Sequence, residues 1–273
     1  SRSNSIQRQD EESIISNNRF IELKILITND DGIFSSGIYA LWEVAKEFGS
    51  VYVVAPNSQK SAAGHSITIS KPLFVDKIKR RNGFEGISVT GSPADCVKFG
   101  LKKILSNAPD LILSGINLGS NLGNNIIYSG TVAAAIEGAM QNIPSIAFSV
   151  DSFNPKSFET SKSIIRQIIN LALEYRITKN FIWNVNIPNC GINQLRGIKL
   201  ASQGNQYFND DFDTRVDPKG NEYFWMVGNM VDEDSTFDSD SYVVKNDYAS
   251  LSPLRFTLSL SLIHISEPTR LRH

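Results

Sequence analysis

The chain of 273 residues contains only two cysteines, Cys96 and Cys190, far apart in sequence, and three histidines. Without a C-x-x-C pair or a Cys/His cluster, neither a disulfide framework nor a structural zinc site is expected, and a reducing cytoplasm suits the chain best. No apolar run reaches the ~18 to 20 residues of a membrane span, and the N-terminal stretch SRSNSIQRQDEESIISNNRF is polar rather than leader-like. A cytoplasmic location with no membrane partner follows as the expectation. The formal net charge of -1 leaves no basic field for wrapping a long nucleic acid. A small anionic substrate remains compatible, because one bound cation supplies local positive charge. Also missing are a G-x-G-x-x-G turn after the first strand and a G-x-x-x-x-G-K-[ST] loop, which excludes a nicotinamide dehydrogenase and a P-loop NTPase. A receiver domain is excluded as well, since no partner aspartate and lysine stand at later strand ends.

What is present is enough apolar material, 41% of residues, for one large α/β domain or a domain with an appendage. Residues 1–20 lack sustained periodicity and read as a disordered or weakly helical extension. The run Lys24–Thr28 is short, branched and apolar, as in a strand buried on both faces of a parallel sheet. Apolar residues then recur at helical spacing from Ser35 to Phe48, ending at Gly49, and Val51–Ala55 reads as a second strand. Helices over 94–105, 132–141 and 161–175 alternate with strands over 111–113, 145–150 and 181–187. The alternation predicts a three-layer, doubly wound, mostly parallel sheet. Beyond it, a hairpin appendage spans about 203–230, turning at Asp217-Pro218-Lys219-Gly220. Its aromatic residues Phe208, Phe212, Tyr223, Phe224 and Trp225 read as a packing seam, though one could stack on a nucleobase.

Ligands of open α/β sheets bind beyond the carboxyl ends of the strands. Asn29-Asp30-Asp31-Gly32 stands at such an end. The adjacent carboxylates fit a hard divalent cation with oxygen ligands, and Asn29 or Asp30 fits a helix cap equally well. The loop from Ser114 to Asn125 carries three glycines and four asparagines, offering neutral oxygens and free N–H groups. Ser129-Gly130-Thr131 precedes a small-residue helix, where unpaired N–H groups and the helix dipole favour phosphate, and plain N-capping is satisfied by the same residues. His65, in the polar loop after the second strand, reads as either a solvated histidine or a substrate-binding or acid group.

Together these loops resemble the SurE family of survival-protein nucleotidases, from about Lys24 to Leu254. Four blocks carry the resemblance in order: Thr28–Gly32, Val54-Ala55-Pro56 through Ser61, Gly91–Val97, and Ser114-Gly115-Ile116-Asn117 through Ser129–Ala135. The resemblance implies a Rossmann-like core and one Mg²⁺ or Mn²⁺ per subunit held by Asp30, Asp31, Ser61 and Asn117. It implies hydrolysis of nucleoside 5'- and 3'-monophosphates, with short polyphosphate as a further substrate. Asp30 would be ligand and candidate base, with Asn117 catalytic as well. Asn29, Gly64, His65, Asn121, Ser129, Gly130 and Thr131 would bind phosphate or substrate. A homodimer or homotetramer exchanging C-terminal elements is implied too. The alternative is a non-catalytic nucleotide or polyphosphate sensor on the same fold. Two departures stand out. Ser61-Ala62-Ala63-Gly64-His65-Ser66 replaces the more usual Ser-Gly-Ala-Ser-Asn-Ser, and the tail from about Thr257 turns to Ser-Leu repeats, read as non-native or disordered.

Overall fold

The computed structural model describes residues 22–257 except 176, 178, 179, 234 and 235. The expected N-terminal extension over 1–20 and nearly all of the tail over 257–273 therefore lie outside the described residues. β1 (Leu23–Thr28) is a buried strand with Ile25 and Ile27 on one face and Leu26 on the other. α1 (Ser36–Ala45) starts at the Ser35 cap, whose hydroxyl accepts the Ile38 N–H, and buries Ile38, Leu41 and Val44. It stops at Ala45, short of the expected Phe48, because the last residues close as turns onto Trp42, Val44 and Ala45 carbonyls.

β2 (Gly49–Pro56), β3 (Val75–Lys79) and β4 (Glu85–Val89) come next. α2 (Pro93–Phe99) begins with a capping box in which Ser92 and Asp95 satisfy each other's N–H groups. β5 (Leu111–Leu118), α3 (Gly130–Met140), β6 (Ser145–Val150), α4 (Glu159–Tyr175) and β7 (Phe181–Ile187) complete the alternating core. β8 (Ile198–Leu200), the arms β9 (Tyr207–Val216) and β10 (Glu222–Val231), α5 (Asp240–Lys245) and β11 (Ala249–Arg255) follow.

The main sheet runs β3-β4-β2-β1-β5-β6-β7-β11-β8. From β4 to β7 every pairing is parallel, while β3 runs antiparallel to β4 and β11 antiparallel to β7, with β8 parallel to β11 at the far edge. One face packs on α1 and α4 through residues such as Ile38, Leu41, Ile164 and Ile168, the other on α2 and α3 through Cys96, Val97, Ala134 and Ala135. The mostly parallel three-layer α/β sheet expected from the alternation is what forms. β3 and β4 were not legible as strands. β3 reads Val-Asp-Lys-Ile-Lys, a charged and exposed edge, so its sequence carries protection against further pairing rather than a buried apolar run.

The chain passes from β1 to β2 on one side and returns to β5 on the other. The order reverses there, which opens a crevice beyond the carboxyl ends of β1 and β5. The hairpin forms within the expected span, and its arms pair only with each other among the described residues. Phe208, Phe212, Tyr223, Phe224 and Trp225 are each at least 40% exposed, so they form no packing seam within this chain. No helix among the described residues is long and apolar enough to cross a membrane.

Candidate functional site

Thr28 of β1 lies beside Ser114 of β5, so the segments that follow them leave the sheet side by side. Asn29 is fully buried. Its amide nitrogen donates to the Gly32 carbonyl at 3.0 Å and to Ser35 Oγ at 2.9 Å, which shapes the turn that presents Asp30 and Asp31. Its carbonyl Oδ1 is buried without a partner.

β5 runs five residues beyond the expected Leu113, so the first part of the Gly/Asn-rich loop is strand. Its register against β6 shifts between Ser114 and Asn117, around a cis Gly115–Ile116 peptide. Gly115 has φ +135°, and a Cβ there would stand 2.3 Å from the Phe148 carbonyl, so no other residue fits. Asn117 therefore lies inside the strand, directly after the irregularity, rather than past its end. Its amide nitrogen donates to the Gly119 carbonyl at 2.7 Å, which leaves Oδ1 as the free donor atom for a cation.

Asp30 faces the first turn of α3. Thr131 donates its hydroxyl to Asp30 Oδ1 at 2.5 Å, and the Thr131 N–H supports the same carboxylate. Gly130 closes the contact: a Cβ there would lie 2.9 Å from Asp30 Cβ and 3.1 Å from Oδ2. Burial pushes the Asp30 carboxyl up to about 6, with the neighbouring Asp31 charge adding to the rise and the Thr131 bonds opposing it. Burial raises Asp31 too, and the Leu118 N–H, donating to Asp31 Oδ2 at 3.1 Å, opposes that shift. Gln59, which the sequence reading passed over, donates to Ser61 Oγ at 2.8 Å and reaches Asp31 Oδ1 at 3.4 Å. Ser61 is thereby brought to Asp31. The Lys60 N–H donates to the Asp30 carbonyl at 2.7 Å and holds the same loop down.

Two carboxylates both raised by burial, with a serine hydroxyl and an asparagine carbonyl on the adjoining segments, are an all-oxygen donor set suited to a hard divalent cation. Among the described residues no three His, Cys, Asp or Glu side chains cluster as a metal site, and here half the donors are neutral oxygens.

The remaining expected residues are placed differently. Ser129 caps α3, its hydroxyl accepting the Val132 N–H, so both hydroxyls of the Ser-Gly-Thr segment are engaged inside the protein. Asn121 is buried at the ends of β6 and β7, bonded to Ser149, Asn184 and Asn186. The Gly64 N–H donates to the Tyr128 carbonyl at 3.1 Å. His65 is not simply solvated: its Nε2 lies 3.0 Å from Glu137, whose other oxygen takes Lys98 at 2.6 Å. Glu137 was missed because it sits among alanines in a helix whose sequence reads as core. His65 and Ser129 also line a cavity of about 900 Å³ along α3 and β11.

A family model described as survival protein SurE matches residues 25–210. The chain is 41% identical over 238 residues to a 5'-nucleotidase SurE of Christiangramia forsetii, covering 86% of this chain and 92% of the relative. It is 42% identical over 234 residues to a 5'-nucleotidase SurE of Petrotoga mobilis, covering 85% and 92%. The crystal structure of a SurE protein from Aquifex aeolicus superposes with a TM-score of 0.77 at 39% identity, covering 89% of this chain and 97% of that one. With a sheet, crevice and acidic turn of this kind and relatives this similar across most of its length, the chain belongs to the SurE family.

Proposed function

We propose that this chain hydrolyses the phosphomonoester of nucleoside 5'-monophosphates and of 3'-monophosphates, with short polyphosphate as a further substrate. The observation that carries the reading is the Asp30–Asp31 pair, held between the first turn of α3 and the Leu118 N–H at the sheet's reversal point. Relatives named 5'-nucleotidase support the substrate class. Asp30, Asp31, Ser61 and Asn117 would hold one divalent cation, Mg²⁺ or Mn²⁺. When bound, such a cation polarises a phosphoryl oxygen and makes a nearby water more acidic.

The protein's own groups do the rest. Asp30 accepts a proton from the attacking water or fixes that water's direction. The Gly130 N–H and the positive end of α3 face the phosphoryl oxygens, where charge shifts as the ester bond breaks. Asn117, steadied by Gly119, sets the opposite wall. Because Thr131 and Ser129 are engaged with Asp30 and Val132, their side chains act by holding the cradle in shape.

The exposed hairpin fits a second copy of the chain, which would cover its aromatic residues in a homodimer or homotetramer. Cys96 and Cys190 are unpaired, in keeping with a cytoplasmic setting.

The test is phosphate release from AMP, GMP and short polyphosphate with Mg²⁺, Mn²⁺ or chelator. Release that requires the cation supports the proposal. Nucleotide binding with no release under any of these conditions contradicts it and favours a sensor.

A further inference from the structure

We propose that Phe153 is the stacking platform for the base of a purine nucleoside monophosphate; this rests on the functional reading above and names the part of the site that selects the leaving group. Phe153 lies just past the carboxyl end of β6, 84% exposed, outside every core cluster. A lone exposed phenylalanine is ordinary; its position is not.

The ring rests on Gly119. A Cβ at Gly119 would come 2.7 Å from Phe153 Cε1 and 3.2 Å from Cζ, and the φ of +106° also suits glycine. The Gly119 carbonyl is the acceptor that orients Asn117, at 2.7 Å, and the next residue back, Leu118, gives its N–H to Asp31. The aromatic ring thus rests on the residue whose carbonyl orients Asn117 and whose preceding neighbour binds Asp31.

Nor is the segment loosely placed. The Gly119 N–H donates to the Val150 carbonyl at 3.0 Å, the Asp151 N–H to Ile187 at 2.8 Å, and the Ser152 N–H to Val150 at 2.7 Å. Ser120 Oγ donates to Asp151 Oδ1 at 2.7 Å, and the Asn154 N–H to Ser152 Oγ at 3.2 Å. A ring with one face on a glycine backbone and the other in water, fixed by bonds on both sides, is a ready surface for a flat base. Aromatic side chains hold bases through their π-faces without needing a specific hydrogen-bond pattern. The larger face of a purine gains more from such a platform than a pyrimidine does.

The experiment measures AMP and inorganic phosphate binding to the manganese-loaded protein by calorimetry, together with AMP turnover, for wild type, Phe153→Ala and Phe153→Trp. Phe153→Ala should raise Kd and KM for AMP about tenfold, about 1.4 kcal/mol, with kcat within about twofold and phosphate affinity unchanged. Phe153→Trp should restore AMP binding. Unchanged AMP affinity in Phe153→Ala overturns the proposal, as does equal weakening of AMP and inorganic phosphate. If wild type binds AMP but releases no phosphate, the hydrolytic reading fails while Kd still decides Phe153. If it neither binds nor hydrolyses AMP, both fail.

Discussion

The Thr131 hydroxyl donates to Asp30 Oδ1 at 2.5 Å, tying the first turn of α3 to the end of β1. The bond steadies an ionised carboxylate in a place where burial and Asp31 work against ionisation. Thr131→Val keeps the shape and removes the donor. We expect kcat to fall about tenfold to a hundredfold, with a stability loss of about 1 to 2 kcal/mol. Thr131→Ser should recover most of the activity. Steady-state kinetics and denaturant unfolding of both variants check this, and an unchanged kcat in Thr131→Val contradicts it.

Gly130 is needed for room rather than for backbone freedom. An added methyl would press on Asp30 at 2.9 Å, yet alanine in a helix is favoured over glycine by up to about 1 kcal/mol. Gly130→Ala should therefore leave thermal stability within a few degrees of wild type while weakening Mn²⁺ binding at least about tenfold. Calorimetric titration with Mn²⁺ reads the affinity, and tight binding by the variant would mean that Asp30 can move aside without consequence.

Asp30 also sets a pH dependence of stability. Its carboxyl ionises at about 6 in the folded, cation-free protein against an ordinary value of 3.8, so the folded state holds the proton more tightly. The associated stability is fully present below about 3.8 and is lost as pH rises through about 6. At most this is about 3 kcal/mol. In chelator, wild type should lose thermal stability between pH 4 and pH 7 relative to Asp30→Asn, and added Mn²⁺ should return it. Parallel pH profiles for the two proteins would refute the assignment.

Glu137 is buried and holds both Lys98 and His65, joining α2, α3 and the loop that carries Ser61. Burial alone would raise its carboxyl, but His65 and Lys98 outweigh that and keep it below its usual value. Glu137→Ala should cost about 2 kcal/mol, less than a fully buried pair because Lys98 can reach water. Glu137→Gln, which keeps hydrogen bonds, should cost less than half as much. Urea unfolding distinguishes the two, and equal losses would show that charge, not hydrogen bonding, holds this junction.

The alternating core was legible because each buried strand is a short apolar run and each helix an amphipathic stripe. The acidic turn was legible because two carboxylates at a strand end have few uses. What the sequence hid has physical causes. β5 passes through Ser-Gly-Ile-Asn, polar and glycine-bearing residues that read as loop, and only the close approach of Phe148 explains why the strand continues. Asn121 and Ser129 look like binding groups in a row of asparagines and hydroxyls, but the partners of Asn121 come from β6 and β7, distant in sequence, and the Ser129 hydroxyl is spent on capping α3. Gln59 and Glu137 gain meaning only from contacts to residues 28 and 39 to 72 positions away.

Phosphate release from AMP in saturating Mn²⁺, comparing wild type with Asp30→Asn, tests the central claim most directly. The substitution keeps the side-chain shape and an acceptor for Thr131, and removes the charge. A fall in kcat of at least about a hundredfold, with the fold intact by circular dichroism, is the predicted result. Turnover by Asp30→Asn within threefold of wild type would contradict the site.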